Sequence, residues 1–184
     1  MDFFKKLFLN VSKRIGLKES DRWVFVSLKE QKLYLFKGYG VLKEYSVSTA
    51  KNGAGFEEGS FKTPTGLHRI AEKIGDGYPI GAVFKSGKFT GEIAGIERKP
   101  VSTNKDFITT RILWLEGLEE GKNRGVNKDG VVVDTYKRYI YIHGTDEEGM
   151  IGRAVSHGCI RMKNSDIVEL FNMVEEGTIV YIEE

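Results

Sequence analysis

Apolar and polar positions alternate along most of this chain with a period of two. The alternation begins in "RWVFVSLKEQKLYLF", where Trp23 and Phe25, then Leu33 and Leu35, flank the polar turn "KEQK". Successive side chains of a strand point to opposite faces, so the pattern predicts a hairpin. Gly38 and Gly40 mark the next turn, and Val41 to Val47 the third strand. A further strand is predicted from Gly66 to Ile74, after a glycine-rich loop. "ITTRILWLEG" and "RYIYIHG" also read as strands, with the polar, glycine-punctuated loop "EEGKNRGVNKDG" between them. Residues 76–106 are rich in Gly, Lys and Ser and weakly periodic, and are expected to form an insertion that caps one end of the sheet.

Two stretches change period. Phe4, Leu7, Phe8, Val11 and Ile15 fall on one helical face, which predicts an amphipathic helix over residues 1–18. Packing on the domain is its expected role, and peripheral contact with a membrane surface or a partner is the second reading. Lys5 and Lys6 split its apolar residues, so no secretory signal is read there, and no apolar stretch reaches transmembrane length. "KNSDIVELFNMVEEGT" predicts a second helix, with Ile167, Val168, Leu170, Phe171 and Val174 as its apolar side. Asn164 or Ser165 is expected to cap it and Gly177 to end it, before "TIVYIE" returns as a strand. The sum is a mainly β fold with minor α: the N-terminal helix, then one domain over residues 22–184 with the cap at 76–106.

Composition narrows the function classes. Across 184 residues, 40% are apolar and 29% charged, and the formal net charge is +2. The lysines are scattered, without a basic stripe or interleaved aromatics, so a nucleic-acid partner is not expected. One cysteine excludes an internal disulfide and a multi-cysteine zinc site.

That cysteine, Cys159, sits in "AVSHGCIRM". A thiol needs a base or a positive field to react at neutral pH. His157 stands two positions away, on the same face of an extended segment, and Gly158 between them permits close backbone approach. His143 ends the strand "YIYIHG", and a loop and a returning segment can bring it beside Cys159. The start of the second helix lies more than one turn beyond Cys159, too far for its dipole to act strongly. His143, His157 and Cys159 also offer three zinc ligands with water as a fourth, although their spacing is not a usual zinc motif. His68 and Trp114 read as core residues.

"IHGTDEEGMIGRAVSHGCIRM" resembles the active-site signature of the L,D-transpeptidases, the YkuD family, and "FKTPTGLHRI" resembles that family's second characteristic segment. The resemblance covers residues 22–183. It implies a β-sandwich or barrel with Cys159 as nucleophile, His143 as its base, and no cofactor. Gly144 follows the base, and its carbonyl is expected to orient the imidazole. Ser156 and His157 match the remaining signature positions and are expected to shape the loop. Backbone N–H groups at Gly158 and Cys159 are the expected oxyanion donors. Arg161 has the fork geometry to hold a substrate carboxylate, and Ser156, Arg153 and Tyr141 are further candidate substrate contacts.

The implied substrate is the peptidoglycan stem peptide, cleaved after the L-centre of diaminopimelate with release of D-alanine. The implied acceptor is an amine of a second stem peptide or a lipoprotein. Water as acceptor would make the chain a carboxypeptidase, and a third reading is an idle wall-binding module. The substrate places the protein in the periplasm or cell envelope, though no export signal is read in the chain.

Overall fold

The structure, a computed structural model, describes residues 3–184. The first two positions of the predicted helix therefore lie outside the described residues. The N-terminal helix α1 runs Phe3–Ile15, and a three-strand meander follows: β1 (Arg22–Ser27), β2 (Lys32–Lys37) and β3 (Gly40–Ser46). Then come β4 (Gly66–Ile74), the hairpin β5 (Ala82–Lys85) and β6 (Lys88–Ile93), and the long β7 (Ile108–Gly117). The chain ends with β8 (Tyr141–Thr145), β9 (Ile160–Met162), α2 (Asn164–Met173) and β10 (Ile179–Glu183).

The ten strands form one mixed sheet in the order β3-β2-β1-β10-β4-β7-β5-β6, and it branches at β7, where β8 and then β9 attach. The branch folds the sheet over a core. Val24, Leu33, Ile70, Leu113, Ile142, Ile160 and Val180 point inward, and Ile167, Leu170 and Phe171 of α2 close the space. The alternate residues of β1 and β2, among them Trp23, Phe25, Tyr34 and Phe36, are buried as well, because Leu7, Phe8 and Val11 of α1 cover that outer face. This is why "WVFV" and "LYLF" are nearly continuous in apolar character: both faces of these strands are covered. Burying each such α1 side chain contributes about 1.5–3 kcal/mol, so α1 is an integral layer of the domain.

Three expectations change. Residues 76–106 contain the hairpin β5–β6, which extends the sheet, and only the segment beyond it crosses toward the site. Asn164 does not cap α2. Lys163 holds that position without a side-chain hydrogen bond, and Asn164 turns its side chain into the sheet. The helix stops at Met173, before Gly177, because Val174 is already extended. Among the described residues, no helix is long and apolar enough to cross a membrane.

Candidate active site

The site lies where β8 and β9 run parallel. Their register pairs Ile142 with Ile160 and His143 with Arg161. Ile142 and Ile160 face the core, so the alternate residues face the other way. Tyr141 and His143 of β8 thus share a face with Arg161 of β9 and with Cys159 just before it. Cys159 stands beside Tyr141: its Sγ receives the Tyr141 N–H at 3.4 Å and its S–H donates to the Tyr139 carbonyl at 3.3 Å. His143 is the diagonal neighbour on the same face.

His143 is buried, 2% exposed. Its Nδ1 lies 2.6 Å from the Gly144 carbonyl, which can only accept. The neutral ring is therefore protonated on Nδ1, leaving Nε2 as the basic nitrogen. Burial lowers the His143 pKa to about 4, assisted by the charge of Arg161 and opposed by the Gly144 hydrogen bond and Asp106. Burial likewise pushes the half-buried Cys159 thiol up to about 11 and Asp106 adds to this, against the Tyr141 N–H and the charges of Arg161 and Arg138. At neutral pH the resting pair is a thiol and a neutral imidazole.

The turn that carries the thiol is held by its neighbours. Ser156 Oγ donates to the Cys159 carbonyl at 2.6 Å and accepts the Gly158 N–H at 3.2 Å. Gly158 has φ of 131°, and a Cβ there would stand 3.2 Å from Ile140 and 3.3 Å from the Lys62 carbonyl. Thr63 Oγ1 donates to the Gly158 carbonyl at 2.8 Å and accepts the Ala50 N–H at 3.0 Å. This hydroxyl gives "TPTG" its place in the site: it ties that segment to the thiol turn. Arg138 clamps the same loop through the carbonyls of Phe56 and Lys62, at 2.9 and 2.7 Å. With the Gly158 N–H directed to Ser156, the Cys159 N–H is the backbone donor at the thiol that is paired with none of the described residues.

The candidate substrate contacts are redistributed. Arg161 is 3% exposed and lies between two carboxylates, with Glu147 at 2.8 Å and Asp106 on its other nitrogen. These ion pairs engage Nη1 and Nη2, while Nε has no partner among the described residues and Arg161 lines the cleft. Burial works to raise Asp106, but Arg161 and the His157 hydrogen bond hold its carboxyl below the usual range. Burial also works to raise Glu147, and hydrogen bonds from Ser102 and Thr103, with the charge of Arg161, hold it low. Tyr141 is 1% exposed, its ring edge-on to Trp114 and His143, so it is part of the wall and not a surface contact. The Ser156 hydroxyl is engaged within the turn. Arg153 is exposed and lies outside the cleft lining.

His157 is the reverse of His143. Its side chain is 65% exposed, and Nδ1 meets Asp106 Oδ2 at 2.6 Å. A cleft of about 400 Å³ opens beside this pair, lined by Lys51, Asp106, Glu147, His157 and Arg161 among others. Asp106 and Glu147 escaped the sequence reading: one closes a weakly periodic segment, and the other is the middle of three consecutive acids, Asp146 to Glu148. Among the described residues, no three His, Cys, Asp or Glu side chains are placed to share a metal ion.

Fold and site together place a cysteine and a buried histidine on one face of a mixed β-sheet. A family model, the YkuD L,D-transpeptidase catalytic domain, matches residues 21–182. The chain belongs to this family. Among curated proteins it resembles YkuD of Bacillus subtilis (strain 168), assigned to the L,D-transpeptidases, with 52% identity over 83 residues. That stretch is 45% of this chain and 51% of the relative, so the match spans about half the relative's length. An L,D-transpeptidase from Mycobacterium smegmatis shares the fold, with a TM-score of 0.52 and 16% identity over 89% of this chain and 58% of its own. So does the catalytic domain of an E. faecium L,D-transpeptidase acylated by ertapenem, with a TM-score of 0.51 and 19% identity over 89% of this chain and 98% of its own.

Proposed function

We propose that this chain is a cysteine acyltransferase acting on peptidoglycan stem peptides in the periplasm or cell envelope. The observation that carries the reading is that Cys159 and the buried His143, whose Nδ1 is held by the Gly144 carbonyl, lie on one face of the β8–β9 pair. Cys159 Sγ attacks the amide carbonyl between the L-centre of diaminopimelate and the terminal D-alanine, while His143 Nε2 takes the thiol proton. The Cys159 N–H faces the developing oxyanion. As the C–N bond breaks, His143 returns the proton to the leaving amine, and D-alanine departs from a thioester. An amine of a second stem peptide, or of a lipoprotein, then attacks the thioester and restores the thiol. Asp106, His157, Arg161 and Glu147 form the wall of the cleft beside the thiol turn.

Mass analysis of the full chain incubated with a stem tetrapeptide tests this. Release of D-alanine with a cross-linked dimer is the expected result. Release with a tripeptide alone would make the chain a carboxypeptidase on the same thioester. A folded chain that releases no D-alanine would overturn the proposal.

A further inference from the structure

Next to His143 lies a buried polar cluster that the chemistry above leaves unused. Asn164, 2% exposed, opens α2 with its side chain turned away from the helix. Its Oδ1 accepts from the Thr109 and Thr110 hydroxyls at 2.6 and 2.5 Å. Its Nδ2 donates to the Thr145 carbonyl at 2.9 Å and to Glu148 at 2.7 Å. Both lone pairs and both protons of the amide are engaged. A buried polar group so fully satisfied rigidifies what it touches.

What it touches is the backbone just after His143. A Cβ on Gly144 would stand 2.6 Å from Asn164 Oδ1 and 2.7 Å from the Thr109 carbonyl, so only glycine admits this approach. The Gly144 carbonyl, acceptor of the His143 Nδ1–H, lies between the two points that Asn164 fixes: the Gly144 Cα against its Oδ1, and the Thr145 carbonyl on its Nδ2.

Backbone strain points to the same cluster. Thr110 has φ of 71°, where β7 breaks register between Thr109 and Ile112. For a β-branched residue this conformation is strained and persists only where the surroundings impose it. Here it presents Thr110 Oγ1 to Asn164, while that oxygen accepts the Gly81 N–H at 2.9 Å.

We propose that Asn164, braced by Thr109 and Thr110, is a positioning residue that holds the Gly144 carbonyl where it fixes the Nδ1–H tautomer of His143. The inference rests on His143 acting as the base of the acyl transfer. Nitrogen NMR of the full chain with labelled histidine reads the tautomer directly, and His143→Gln assigns the ring among the three histidines. In the wild type at pH 7, His143 is expected to be protonated on Nδ1 alone. In Asn164→Ala, both tautomers should appear and acylation of Cys159 by ertapenem should slow, by up to about 10²-fold if the ring is misplaced by about 1 Å. A folded Asn164→Ala with the wild-type ring pattern and acylation rate would overturn the proposal. If that variant does not fold, Thr110→Val, which removes one hydroxyl, carries the test: a smaller shift in the same direction supports it and an unchanged ring refutes it. A wild type that never acylates, beside a variant whose tautomer shifts, would remove the proposed function and leave this inference standing.

Discussion

The strand side and the loop side of the site use the same side chain in opposite ways. On the strand side, His143 is buried, held by a backbone carbonyl, and free of a carboxylate contact. On the loop side, His157 is exposed and engaged with Asp106. The residue nearer to Cys159 in sequence is the exposed one, and the one on the strand is buried. Both rings are held through Nδ1, so burial and the charge of the Nδ1 partner are what separate them. A carbonyl orients an imidazole without adding charge, so burial is left to lower the basicity of His143; in the proposed mechanism the proton it takes up is then readily returned to a leaving amine.

The comparison breaks most sharply at the thiol. The wild type is expected to form a covalent adduct with ertapenem and Cys159→Ala to form none, as read by intact mass; an adduct that persists in the variant would place the nucleophile elsewhere. His143→Gln should slow acylation by about 10²–10⁴, the range that general acid–base catalysis supplies. The loop side should answer in stability instead. Arg161→Met leaves Glu147, 4% exposed, without its cation, and should cost about 3–5 kcal/mol in denaturant unfolding. A loss below about 1 kcal/mol would mean the Glu147 carboxylate finds water or another donor.

Acid sharpens the contrast further. His143 and His68 are both held at about 4 by burial, against 6.5 for the ordinary group. Between those values the unfolded chain takes up protons that the folded chain refuses, so stability is full above about pH 6.5 and falls as the pH drops toward 4. Melting temperatures across that interval should decline, and His68→Gln should flatten part of the decline. Acylation should hold its rate down to about pH 5, because the base stays neutral; an acid limb centred near 6.5 would contradict the burial of His143.

Much of this contrast was legible in the sequence, and the reasons differ by element. β4 and β7 match their predicted spans because period-two alternation is bounded by glycine at Gly66 and Gly117. The hairpin β5–β6 was hidden: β5 has only four residues, and every residue of β6 is exposed, so no alternation marks it. Cys159 and His143 could be named from their signature. The internal ion pairs of Arg161 were not legible because its partners, Asp106 and Glu147, lie on segments that fold back from elsewhere, and a guanidinium fork suits an internal carboxylate as well as a substrate's. Asn164 was read as a cap because Asn is a good cap. The same amide capacity serves a buried hub, and only tertiary structure decides between the two.

The smallest expected effect completes the test. His157→Gln removes an exposed partner of Asp106 and should leave acylation within about threefold of the wild type, since exposed pairs contribute on the order of 0–1 kcal/mol. The decisive measurement is therefore the single-turnover rate of Cys159 acylation by ertapenem in His143→Gln and His157→Gln side by side. The account predicts a fall of at least about 10² in the first and little change in the second. Equal losses in the two, or a larger loss in His157→Gln, would contradict the assignment of His143 as the base.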